Sequence, residues 1–226
     1  MNESSLKTEA IVLRRTNFSE ADRVLQFITP NNGKLGVMAR GVRKEKSKLA
    51  GGIELFAVCD VVIHLGKGDL GTLTSVRLNV FYSHILEDYD RMQFGYQVLR
   101  QVAKFADDMQ EPEFYTITKT ALASLNNLKI DLRVVQAWFY IHLAEVIGHG
   151  LNVSRDNQNR PLAEDKKYRF DIAEMSFIED EKGAFDANHL KLLKLLQHKD
   201  PDIIAKIGGI EQLLDDCLSI AHAASE

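Results

Sequence analysis

The spacing of apolar residues changes once along this chain, near residue 80, and that change limits the fold more than any other feature. Before it, apolar residues alternate with polar ones or run in short blocks bounded by Gly, Pro and Asn. The segments 8–15, 24–29, 34–40, 53–65 and 70–78 each read as a strand. In the first, Ala10, Val12 and Arg14 are expected on one face, with Ile11, Leu13 and Arg15 on the other. In the third, Leu35, Val37 and Ala39 alternate with Lys34, Met38 and Arg40. The long segment 53–65 is expected to be bent or bulged. Pro30-Asn31-Asn32-Gly33 supplies hairpin chemistry, because Asn-Gly accepts the positive φ of a tight turn. Gly66-Lys67-Gly68-Asp69 is a second turn. Five short strands within about 75 residues suggest a small antiparallel barrel such as an OB-fold.

After residue 80 the spacing becomes helical. Met92, Tyr96, Leu99, Val102, Ala103 and Ala106 recur at three and four residues, which predicts a helix over 90–107. Pro112 stands where a helix starts, and Phe114, Ile117, Ala121 and Leu125 give that helix one apolar face. Asp131 is placed to cap a third helix, apolar on much of its circumference and so central to the second domain. Residues 152–167 are polar and loop-like. A short hairpin is expected near 168–178, then a helix capped by Asp186 and a last helix through Leu213, Cys217 and Ala221. The class is therefore α+β: a five-stranded barrel over 1–80 and a mainly helical domain with a small hairpin over 81–226.

Composition narrows the function. No apolar run approaches the ~20 residues that span a bilayer, and MNESSLKTEAIVLRR shows no signal peptide. Two separate cysteines that read as free thiols point to a reducing compartment, so the expected location is the cytoplasm. Cys59 and Cys217 are far apart and read as buried thiols, and a zinc site on paired cysteines is excluded by their number. The seven histidines do not cluster. No Gly-rich loop between strand and helix cradles a phosphate, and no serine sits in a nucleophile elbow. The expectation is a protein that is not an enzyme and needs no cofactor.

The formal net charge is -4, which alone argues weakly against nucleic acid. Its distribution argues the other way. Residues 1–80 hold 12 Lys and Arg against 8 Asp and Glu, whereas 81–226 hold 16 against 24. The basic part is concentrated at 33–48, GKLGVMARGVRKEKSK, where Lys34, Arg40, Arg43, Lys44, Lys46 and Lys48 face a single acid, Glu45. A strand running into a dense cationic loop suits a surface that grips phosphates. A solvated loop between strands is the plain alternative. Among the aromatics, Phe27 and Phe56 read as core, and Phe18, in a polar turn, is the best candidate for a ring on which a base could stack.

These residues carry a family resemblance. Thr8-Glu9-Ala10-Ile11-Val12-Leu13, then Phe18-Ser19-Glu20-Ala21-Asp22-Arg23, Thr29, Gly33-Lys34, Ala39-Arg40-Gly41-Val42-Arg43-Lys44 and Ser47-Lys48-Leu49 resemble the N-terminal domain of the bacterial recombination mediator family RecO. The motifs cover residue 8 to about residue 52, and the rest follows in order and type of element. The resemblance implies an OB-fold followed by a helical domain, binding of single- and double-stranded DNA, and annealing of complementary strands. It also implies partnership with RecR and with the C-terminal tail of the single-stranded-DNA-binding protein, to help RecA load, and a location with the nucleoid. The family's DNA-contacting cations carry over best onto Lys34, Arg40, Arg43 and Lys44. Arg14, Arg15, Lys46 and Lys48 follow by charge and position, and Arg23 and Phe18 by their place in the motif. Many members carry a four-cysteine zinc module where this chain reads GHGLNVSRDNQNRPLAEDKKYRFD. With no cysteine there, the expected version has no zinc module, and its hairpin holds by packing. Arg155, Arg160, Lys166, Lys167 and Arg169 form the one basic cluster of that region and read as a solvated loop. An OB-fold that binds RNA, or a pure scaffold, remain alternatives from the residues themselves.

Overall fold

The structure, a computed structural model, describes residues 4–66, 68 and 70–226. Lys67 and Asp69 of the expected turn lie outside the described residues. By packing, the chain divides into two compact units at Asn126/Asn127.

In the first unit five strands close a barrel: β1 (Ser4–Asn17), β2 (Arg23–Thr29), β3 (Gly33–Ala39), β4 (Ala57–Leu65) and β5 (Gly71–Phe81). Their order around the barrel is β1-β2-β3-β5-β4, and β4 pairs back onto β1. All neighbours are antiparallel except β3 and β5, which meet in parallel at Val37↔Gly71 and Met38↔Thr72. This is the OB-fold. Alternation explains the core: Ala10, Val12, Leu25, Phe27, Val37 and Ala39 are fully buried inside the barrel. The β2–β3 hairpin turns through Gly33 at φ 58, the backbone state that Asn-Gly favours.

Two details differ from the sequence pattern. In β1, Val12 pairs with Phe27 but Arg14 with Gln26, so a bulge inserts Leu13 as an extra residue. Arg14 and Arg15 still face opposite ways, but Arg14 no longer shares a face with Val12. The expected strand 53–65 begins only at Ala57. Residues Ala50–Gly52 form a short 3-10 turn, and Phe56 has φ 61, which ends any ladder before it. Ile53 is nevertheless buried in the barrel core, which is why its stretch reads as a strand.

Helices α1 (Tyr89–Phe105) and α2 (Glu113–Asn126) belong to this same unit. The sequence boundary at 80/81 marks the end of the strands, whereas packing carries the unit on through α2. The reason is chemical. Glu9 of β1 accepts bonds from Tyr115 and Lys119 of α2, the latter at 2.7 Å. Burial raises the Glu9 pKa, but these bonds prevail and hold it below the usual carboxylate range.

The second unit is built on α3 (Leu132–Val146), capped by Asp131 and buried over most of its surface. The hairpin β6 (Tyr168–Asp171) and β7 (Ser176–Glu179) follows, then α4 (Ala187–His198), the short α5 (Pro201–Ile204) and α6 (Leu214–Ala224). The hairpin holds by aromatic packing: Phe177 is fully buried and its ring meets those of Tyr168, Phe170 and Phe185 at 5.0–6.3 Å. Gly183 is required beside it, because a Cβ there would lie 2.2 Å from the Tyr168 backbone. Asp186 and His189 cap α4 reciprocally. Among the described residues, no group of three or more His, Cys, Asp and Glu is placed to hold a metal ion, and no helix is long and apolar enough to cross a membrane.

Candidate nucleic-acid interface

The loop after β3 is a run of hydrogen-bonded turns. Lys44 N–H donates to the Gly41 carbonyl at 3.1 Å, Ser47 N–H to Lys44 at 3.0 Å, and Gly52 N–H to Leu49 at 3.4 Å. Val42 anchors its start, since this side chain is 3% exposed and joins the barrel core. Gly41 has φ 64, a state that a Cβ would strain.

The β1–β2 turn holds the loop from the other side. Ser19 Oγ accepts the Asp22 amide at 3.1 Å and shapes the turn. The Asp22 carboxylate then accepts the Gly41 amide at 2.7 Å. Arg43 N–H donates to the Ala21 carbonyl at 3.0 Å, and its guanidinium to the Ser19 carbonyl at 2.7 Å. The SEADR turn and the ARG-x-R loop, distant in sequence, are therefore one structural piece. Asp22 was not among the expected site residues. The signal for it was present: an acid in a turn, with no basic neighbour of its own apart from Arg23.

On this frame the expected cations separate into three groups. Arg40, Lys44, Lys46 and Lys48 are exposed, and none makes an ion pair with a described residue. Arg43 joins them, exposed though hydrogen-bonded to the turn. Phe18 is 67% exposed and Arg23, whose Nε donates to Asn17 at 3.1 Å, stands at the same end, paired with Ala39 across the hairpin. These residues are brought together. Arg14 is exposed on the outer face of the sheet, further along β1.

Lys34 and Arg15 are used otherwise. Lys34 is only 10% exposed in its side chain; its ammonium donates to the Ala103 carbonyl at 2.8 Å and pairs with Asp107 at 2.5 Å. It thus neutralises the carbonyl end of α1, where a cation is stabilising. Arg15 pairs with Glu54 at 2.7 Å and reaches the Ile53 carbonyl, tying the end of the loop to β1. Sequence alternation puts Lys34 on the outer face correctly, but nothing local says that a helix seventy residues on covers it.

Residues 1–81 match the family model described as Recombination protein O N terminal. The chain is 31% identical over 144 residues to the DNA repair protein RecO of Dehalococcoides mccartyi, covering 63% of this chain and 56% of that protein. The chain is similar to the RecO family, most specifically over its first 81 residues. The RecO of Listeria monocytogenes is 30% identical over 143 residues, covering 63% of this chain and 55% of the relative. That of Desulfitobacterium hafniense is 28% identical over 143 residues, covering 62% and 51%. The chain spans just over half the length of these relatives. The RecO-like motif residues are the ones that join turn to loop: Ser19, Asp22, Gly41 and Arg43. The family pattern therefore describes a scaffold for the loop as much as a set of charges.

Proposed function

We propose that this chain is a DNA repair protein without catalytic activity of its own. It binds single- and double-stranded DNA, anneals complementary strands, and helps RecA load on DNA coated by the single-stranded-DNA-binding protein. The observation that carries this reading is the loop at 40–48, whose cations lie exposed and without ion pairs to described residues on a turn frame anchored by Asp22 and Val42. The names of the RecO relatives supply the repair setting.

The mechanism is electrostatic. Each cation that meets a phosphate releases a counterion, so affinity falls steeply with salt. With Arg40, Arg43, Lys44, Lys46 and Lys48 engaged, log affinity for single strands falls against log salt with a slope of about -3 to -4. Phosphate contacts leave base edges free to pair, which is what annealing needs. Phe18, 67% exposed, offers a ring on which a base could stack, a contact worth ~1–3 kcal/mol. RecR, and the acidic tail of the single-stranded-DNA-binding protein, are the partners this reading includes; they follow from the resemblance to RecO rather than from a particular surface.

Changing Arg40, Arg43 and Lys44 together to Ala tests the site. Fluorescence anisotropy with a labelled single strand is expected to show affinity lowered at least ~10-fold at low salt and the salt slope reduced by about 2. Annealing of complementary oligonucleotides falls with it, both bare and coated by the single-stranded-DNA-binding protein. The melting temperature falls only slightly, since the three side chains are exposed and only Arg43 gives up a hydrogen bond to the frame, the one to the Ser19 carbonyl, while its backbone bond to Ala21 remains. Unchanged binding in the triple variant removes the site. Tighter binding to RNA than to DNA of one sequence removes the substrate.

A further inference from the structure

A groove of 550 Å³ runs between the barrel's outer face and α1. Its walls carry four cations: Arg14 of β1, Lys34 of β3, and Arg100 and Lys104 of α1. The one acid in its lining is Asp107. Arg100 and Lys104 are four residues apart and share one face of the helix. Both are exposed, and the Lys104 ammonium rests 4.7 Å from the centre of the Phe105 ring. Asp107 is already neutralised by Lys34 at 2.5 Å. Arg14, Arg100 and Lys104 have no ion pair with any described residue. Three like charges are left converging on one groove, an arrangement that repels itself until an anion enters.

The position of the groove says which anion. Arg14 pairs with Gln26, and Gln26 with Gly36, so these three residues share a row across the sheet. Gly36 lies four residues before Arg40 on β3 and its loop, a step of roughly 13 Å at the strand rise. By alternation Arg14, Lys34 and Arg40 all stand on the outer face. A chain of phosphates held at the 40–48 loop and running down that face reaches Arg14 and then α1. The exposed cations on both walls fit an extended diester better than an enclosed small anion.

We propose that this groove is a second phosphate-binding site for single-stranded DNA, with Arg100 and Lys104 as binding residues. It takes the backbone of the strand whose neighbouring part lies on the loop. The proposal rests on the DNA-binding reading above. Lys34 is then a positioning residue: it cancels Asp107 and holds the end of α1 against the barrel.

The test is anisotropy over a salt series with three variants of the full chain and a single strand of about 30 nucleotides, long enough to cover both places. Arg100→Ala with Lys104→Ala is expected to weaken binding several-fold at low salt and to reduce the slope by about 1.4. Asp107→Asn, which removes the groove's only acid, is expected to tighten binding. Arg100→Lys with Lys104→Arg keeps both charges and is expected to bind as the parent does. Unchanged affinity and slope in the double alanine variant, while the Arg40, Arg43 and Lys44 variant binds weakly, overturns the groove and leaves the loop standing. Weak binding by the charge-retaining variant also overturns it, since the loss is then one of structure rather than charge. Unchanged binding in the loop variant instead overturns the reading on which the groove depends.

Discussion

The loop at 40–48 and the segment at 155–169 each carry five cations. In the first, one acid accompanies them; in the second, three do. The structure turns that small difference into opposite electrostatics. Arg40, Arg43, Lys44, Lys46 and Lys48 make no ion pair with a described residue. In the other segment Arg160 pairs with Asp156 at 2.7 Å and Glu179 at 3.5 Å, Lys166 with Glu179 at 2.7 Å, and Arg169 with Asp171 at 3.3 Å. Arg155 donates to the Asn159 carbonyl at 2.8 Å. In this segment, expected to be a solvated loop, three of the five cations are paired around the hairpin, while Arg155 and Lys167 stay exposed without an ion pair to a described residue. Charge counted along a sequence is thus a poor guide to charge offered to a ligand. What matters is whether the fold supplies counter-charges from elsewhere, as β7 does through Glu179 and the barrel end does not.

On the reading proposed above, the two regions have separate tasks, one binding and the other stability, and that division breaks if a variant crosses over. The largest effect expected is on stability. Phe177→Ala removes the central ring of the hairpin cluster and costs about 3–5 kcal/mol, as such fully buried aromatic truncations do. Denaturant unfolding followed by fluorescence measures it. At a temperature where the variant remains folded, its affinity for single-stranded DNA is expected to stay within about twofold of the parent's, because the cations proposed to meet phosphates are untouched. A proportionate loss of binding would merge the two tasks.

A smaller effect sharpens the electrostatic side. Arg155, Lys167 and Arg169 are exposed and none of them bonds Asp156. Changing all three to Ala removes as many charges as the Arg40, Arg43 and Lys44 variant does. If phosphate contact rather than net charge governs binding, the salt slope changes by less than about 0.5 here, against about 2 there. Equal changes in the two variants would mean that the protein attracts DNA through its general field and has no particular site.

Much of this was readable in the sequence, for a physical reason. Strand alternation, Asn-Gly turns and helix caps are local, so the hairpin through Gly33, the cap at Asp131 and the capped helix after Asp186 all follow from nearby residues. The exposed ring of Phe18 and the buried ones of Phe27 and Phe56 follow in the same way. What was hidden depends on contacts across long stretches of chain. Lys34 looks like a ligand cation until the end of α1 covers it. Arg15 looks the same until Glu54 reaches it. The groove at Arg100 and Lys104 appears only when α1 lies along the barrel. Residues 53–56 look like strand because Ile53 and Phe56 are core, whereas the φ of Phe56 is set by packing. The zinc-free hairpin was expected to hold by packing, and its rings do so, but the polar half of the arrangement, centred on Asp156, had no sequence signature.

That polar half gives the smallest effect and the one that separates pairing from solvation most directly. Asp156 is 7% exposed and accepts the backbone amides of Gln158 and Arg160 at 2.9 and 2.8 Å, besides the Arg160 guanidinium at 2.7 Å. Burial raises its pKa, but the Arg160 side chain and the two amides together outweigh burial and hold the carboxyl below its ordinary value. A carboxyl depressed in the folded state contributes stability that is present above its unfolded pKa of about 3.9 and is lost as pH falls through the folded value. The pH window is therefore the acid side, below about 4, and nothing changes between pH 5 and 8 on this account. Melting temperatures measured from pH 5 downwards are expected to fall less steeply for Asp156→Asn than for the parent, from a lower starting point. If instead the segment were a solvated loop, the two curves would run parallel. The loop at 40–48 supplies the control: the Arg40, Arg43 and Lys44 variant leaves Asp156 and its partners untouched and keeps the parent's acid dependence.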